Sequence, residues 1–154
     1  MKDVPCLNFE DRIISKLIAN ADRWCDLCLA RRSHAEETSA GFERKISRDL
    51  IDLCIVADEL PIPQRAILKA NDIYSDAEKC LIEAVKQFQN LTALRQKCYD
   101  TLQISNSYKI VNGLDRIAQS YSLPMTQRSF GEIDFGYLDE APLPLQNDKD
   151  QLEP

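Results

Sequence analysis

Apolar residues recur along most of this chain at steps of three and four, the spacing that aligns side chains on one face of an α-helix. A first helix is predicted from about Asn8 to Arg32, with Phe9, Ile13, Ile14, Leu17, Ile18, Ala21, Trp24, Cys25 and Cys28 as its apolar face. Asn8 suits the N-cap, and Glu10 and Asp11 suit the first turn, where free N–H groups favour negative charge. A polar stretch from Ser33 to Ser39 reads as a connection. The second helix starts near Ser39 and ends before Pro61, with Phe42, Ile46, Leu50, Leu53, Cys54 and Ala57 in its stripe. Ile51, Ile55 and Val56 widen that stripe, as expected of a helix covered on more than one side. Pro61 and Pro63 stop it.

The third helix has the most regular repeat. Ile67, Ala70, Tyr74, Ala77, Leu81, Ala84 and Phe88 alternate steps of three and four, which favours side-by-side packing at a shallow left-handed crossing. A break is expected near Asn90–Thr92. The fourth helix then runs from about Thr92 to Ser122, with Leu94, Cys98 and Leu102 in one stripe and Tyr108, Val111, Leu114, Ala118 and Tyr121 in another. The stripe slips phase around Ser105–Ser107, so this helix bends there or is two helices. From Pro124 onward the periodicity ends, and four of the seven prolines lie there. The expectation is a four-helix body over residues 1–122 and a flexible, acidic, proline-containing tail over 123–154. With only four glycines in the chain, an all-β fold lacks its tight turns, and the fold class is all-α.

Charge sharpens the division. The formal net charge is −6, and residues 122–154 carry −5 of it, so the body is close to neutral. No apolar run is long enough to cross a bilayer, and the first residues lack the apolar stretch of a signal peptide, so no membrane contact and a cytoplasmic location are expected. In that compartment the six cysteines are reduced thiols, most of them on apolar faces.

Candidate chemistry is sparse. Cys25-Asp26-Leu27-Cys28 has redox spacing, but it lies inside a helix with no strand before it, and zinc would need two further ligands. Core packing is the preferred reading. The single histidine, His34, stands in a polar connection with no orienting partner. No catalytic group, cofactor or metal site is therefore expected. Two binding features remain. Arg31, Arg32, Arg44, Lys45 and Arg48 form the densest basic cluster and are candidates for contact with RNA phosphates. Phe130, Ile133, Phe135, Tyr137 and Leu138 put aromatic and aliphatic side chains into an acidic setting. That segment reads either as a motif that orders on a protein partner or as one that folds back on its own body.

The run Arg44-Lys45-Ile46-Ser47-Arg48-Asp49-Leu50-Ile51-Asp52-Leu53, then Leu68-Lys69-Ala70-Asn71, Glu78-Lys79-Cys80-Leu81, Tyr99, and Ile110 to Leu114, appear in an order that resembles one family. It contains the Avd accessory proteins of diversity-generating retroelements and the bundle proteins encoded in ribosomal-RNA intervening sequences. The resemblance spans residues 42–118, about half the chain. It implies an antiparallel up-down four-helix bundle, a ring-like homopentamer, a reverse transcriptase as partner and contact with template RNA during cDNA synthesis. The neutral body and acidic tail support a different expectation, a helical adaptor whose tail recruits a protein without nucleic acid.

Overall fold

The computed structural model describes residues 7–33 and 39–134, with side chains described for 7–23 and 48–134. Every regular element among them is helical: α1 (Phe9–Ser33), α2 (Ser39–Glu59), α3 (Gln64–Ile73), α4 (Ala77–Asn90), α5 (Thr92–Thr101), α6 (Ser107–Ser120) and a single 3-10 turn (Phe130–Glu132). The all-α expectation holds. The expected count of four does not, because two of the expected helices are each broken.

The third expected helix divides at Tyr74–Asp76 into α3 and α4. Tyr74 leaves the helical region (φ −134°, ψ 104°). Asn71 then spans the corner: its Oδ1 accepts the Glu78 N–H at 2.9 Å, and its Nδ2 donates to the Glu78 carboxylate at 3.2 Å. A first-turn N–H of α4 thereby gains a partner that a continuous helix would have supplied. The fourth expected helix divides at Leu102–Asn106, where the phase slipped. There the Ile104 N–H bonds back to the Tyr99 carbonyl at 2.9 Å and the Gln103 N–H to Asp100 at 3.3 Å. Gln103 sits in the left-handed region (φ 54°). Helix α6 ends in the same way, with Ser122 at φ 55° and the Leu123 N–H bonded to the Ala118 carbonyl. Both ends are Schellman closures in which a residue other than glycine takes the left-handed position.

Helices α1, α2, α6 and α4 occupy four corners: α1 touches α2 and α4, and α6 touches the same two. Helices α1 and α2 run in opposite directions, since Lys16 reaches Asp52 while Arg23 reaches Asp49. Helices α2 and α6 run in the same direction, which departs from the uniformly antiparallel arrangement expected. Gly113 lies on the backbone of Cys54, and one turn further on Ile117 and Ala57 share a cavity. A Cβ on residue 113 would fall 1.7 Å from the Cys54 carbonyl oxygen, so only glycine allows this approach. The core between the corners includes Leu17, Leu50, Leu53, Leu81, Val85, Phe88, Ile110 and Leu114, all without appreciable exposure.

The expected tail is corrected in its first part. Residues 123–134 form a strap that retraces α6 in reverse: residue 126 meets residue 115, residue 128 meets 112, and residue 131 meets 107. Polar groups of this strap find buried partners on the helices, which a free tail lacks. Residues 135–154 lie outside the described residues.

Candidate partner-binding strap

Arg95 stands between Leu94 and Cys98 on the inner face of α5, and its side chain is fully buried. A buried guanidinium requires a partner for each of its five N–H groups and for its charge. Nε donates to Glu132 Oε2 at 2.8 Å and Nη2 to Glu132 Oε1 at 3.0 Å, a bidentate pair. Nη1 donates to the carbonyls of Phe88 and Gln89, at 2.9 and 2.8 Å. These are last-turn carbonyls of α4, which the break before α5 leaves without helical partners. The remaining N–H of Nη2 goes to the Gln127 carbonyl at 2.9 Å. One side chain thus closes a helix end, holds a carboxylate and fixes the strap.

Glu132 is equally enclosed, at 1% exposure. Besides Arg95, its carboxylate accepts from the Tyr99 hydroxyl at 2.6 Å and from the N–H and Oγ–H of Ser129, each at 2.9 Å. The Ser129-to-Glu132 spacing and the carboxylate reaching back to the Ser129 N–H match the acidic half of a capping box. Burial alone would raise the acid's pKa, but the bonds from Arg95, Tyr99 and Ser129 outweigh it and hold Glu132 at about 2. Burial and the facing carboxylate push the Tyr99 hydroxyl up, so it remains a donor. For Arg95, burial disfavours the charge, and the Glu132 carboxylate more than restores it.

A second anchor lies on α6. Asp115, buried on α6, accepts the Thr126 N–H at 2.8 Å and an Arg128 Nη2–H at 3.1 Å. Arg128 also donates to Asn112 Oδ1 at 2.7 Å and to the Glu132 carbonyl at 3.3 Å. Gln89 Nε2 reaches the Pro124 carbonyl and Thr126 Oγ1. With Glu132 fixed inward, the neighbouring side chains face out: Phe130 is 80% exposed and Ile133 41%. The Ser107 hydroxyl holds the Gly131 carbonyl between them at 2.9 Å.

The sequence-derived candidates divide accordingly. Phe130 and Ile133 come together on one strap. Phe135, Tyr137 and Leu138 lie outside the described residues, as does His34. Arg48 is exposed on α2. Arg31 and Arg32 fall in the last turn of α1, and Arg44 and Lys45 in the first half of α2; their side chains lie outside those described, as do those of Cys25 and Cys28. Sequence reasoning missed Arg95 as an organiser and treated Glu132 as one acid among several. Among the described residues no cluster of His, Cys, Asp and Glu is arranged to hold a metal, and no helix is long and apolar enough to cross a membrane. No protein family, curated protein or solved structure matches this chain.

Proposed function

We propose that this chain is a non-enzymatic helical binding protein that assembles with copies of itself and with a further macromolecule, and that the strap supplies the contact. The supporting observation is the buried Arg95–Glu132–Tyr99 network beneath an exposed Phe130. A solvated aromatic on a fixed backbone needs little ordering when it docks, and aromatic anchors of this kind dominate interface energetics. The four corners α1, α2, α4 and α6 fit a four-helix bundle with two broken arms. An all-helical body of this kind supports the retroelement-accessory reading only coarsely, since α2 and α6 run in the same direction where that resemblance implies antiparallel neighbours.

Light scattering on the full chain tests the assembly. An oligomer that dissociates on the double change Phe130→Asp, Ile133→Asp is expected. A monomer at high protein concentration, or an oligomer indifferent to both changes, removes the support.

The more specific reading, an accessory factor for a reverse transcriptase that also contacts template RNA, draws on one further observation: Arg48 is exposed on α2 within the basic cluster. It predicts retention of RNA at low salt and its loss when Arg44, Lys45 and Arg48 become Glu. Retention that survives the triple change would leave the adaptor reading, with the strap as its recruiting surface and no nucleic acid.

A further inference from the structure

At the end of the bundle where α2 and α6 finish and α3 and α4 begin, the corner residues do not meet. They leave a cavity of about 250 Å³ that is partly open to solvent, walled by Ala57, Ile62, Ile67, Leu81, Ile117 and Tyr121. This site is separate from the exposed Phe130 of the strap: Tyr121 belongs to the far end of α6 from Ser107, where the Gly131 carbonyl is held.

Three features give it the character of a ligand site. Its size is the first. An engineered apolar cavity of about 150 Å³ takes up benzene, so this one has room for an aromatic ring with a short arm, or a chain of comparable bulk. Its lining is the second. The walls are aliphatic and aromatic, with the polar groups of Gln64, Arg116 and Ser120 confined to a few positions, the composition that small-molecule pockets share. Arg116 is the third. Like Arg12 and Arg48, and unlike Arg23, Arg65, Arg95 and Arg128, its guanidinium has no carboxylate partner among the described residues, and of these three it alone borders this cavity. Arg116 is exposed on α6, one position before Ile117 in the cavity wall. Tyr121 lines the cavity, while its hydroxyl is buried beside Glu78 without a hydrogen-bond partner of good geometry, and burial pushes its pKa up. Glu78 is tied to Asn71 and disfavours an anion at the Tyr121 end. The charges therefore orient an occupant, with its negative group at Arg116 and its apolar body toward Tyr121 and Leu81.

We infer that this cavity binds a small amphipathic monocarboxylate, with the carboxylate on Arg116 and a ring or short aliphatic body among Ile62, Ile67, Leu81 and Ile117. The inference stands apart from the strap's role and survives its failure.

The test uses the full chain with 4-phenylbutyrate and octanoate as probes, and 4-phenylbutanol and octanol as uncharged counterparts. Titration is followed by thermal shift and by NMR chemical-shift changes. The carboxylates are expected to raise the melting temperature and to shift resonances of Ile67, Leu81 and Ile117. Arg116→Gln, a change on an exposed helix face, is expected to weaken them by about tenfold while leaving the alcohols unaffected, the scale of one lost hydrogen-bonded charge contact. Ala57→Leu, which fills the cavity, is expected to abolish binding; if it fails to fold, Gln64→Trp at the mouth serves instead. Four results would overturn the inference: no shift with either carboxylate, alcohols that bind as tightly as the acids, unchanged affinity in Arg116→Gln, or shifted resonances on another face.

Discussion

At the seam between α1 and α2, Lys16 reaches Asp49 and Asp52 at 3.4 and 2.6 Å, and Arg23 reaches Asp49 at 2.9 Å. At the strap, Arg95 reaches Glu132 at 2.8 Å. The distances are alike and the chemistry is the same. The surroundings differ: the Lys16 side chain is 39% exposed, while neither Arg95 nor Glu132 sees solvent. Bonding to Asp52 raises the Lys16 pKa against an opposing effect of burial. Water still screens the outer part of this seam, where Lys16, Arg23 and Asp52 keep an alternative partner in solvent, while Asp49 is buried beneath them. The buried pair has no such alternative. Its net contribution against an apolar pair is small, but its loss on one side is costly. What the strap gains is a single allowed position, since only one register satisfies all five N–H groups of Arg95.

The most direct way to break this contrast is Arg95→Leu, which leaves the Glu132 carboxylate enclosed without its counter-ion. A loss of about 3–5 kcal/mol is expected in urea unfolding, with much of it recovered when Glu132→Leu is added. A loss under about 1 kcal/mol would put the two seams in the same class. Gly113→Ala separates packing from charge in the same half of the molecule. Its Cβ would strike the Cys54 carbonyl, so α2 and α6 must part, and a loss of about 3 kcal/mol is expected with no change in pH dependence.

Acid titration sharpens the comparison further. Glu132 is held at about 2 against an ordinary value of 4.5, so its contribution is fully present above 4.5 and is lost as pH falls from there toward 2. The interval corresponds to about 3 kcal/mol, and Glu132→Gln should flatten this part of the stability profile. Calorimetry from about pH 6 down to about pH 2.5 reads it. The smallest effect belongs to the exposed seam. Lys16→Met should change stability by less than about 1 kcal/mol, and added salt should reduce even that.

Helix content was legible because periodicity is a local property, and residues 9–33 and 39–59 follow it closely. The corner at Tyr74–Asp76 was not. Tyr74, Ala77 and Leu81 continue the heptad steps across the break, and neither Gly nor Pro marks it. The end of α5 was obscured for a related reason: Gln103 takes a left-handed position that usually announces itself as glycine, whereas α6 ends within two residues of the expected Ser122. The slip near Ser105–Ser107 did mark a real division. The strap's buried anchor was the largest omission, although fold-back of this segment was one of the two readings its sequence allowed. Arg95 and Glu132 are 37 residues apart, and no local pattern connects α5 to an irregular acidic segment. One local signal was available, the Ser129-x-x-Glu132 spacing, which marks a capped turn where a disordered run was expected.

The order of synthesis gives the Arg95–Glu132 separation a consequence in time. At elongation rates of about 5–20 residues per second, the ribosome finishes Glu132 some two to seven seconds after Arg95. During that interval the rest of α5 and all of α6 are added, but not the carboxylate that makes the α4–α5 corner tolerable. A chaperone would meet an unfinished core at that corner, and a message truncated before codon 132 would yield a protein marked for degradation by its own uncompensated cation.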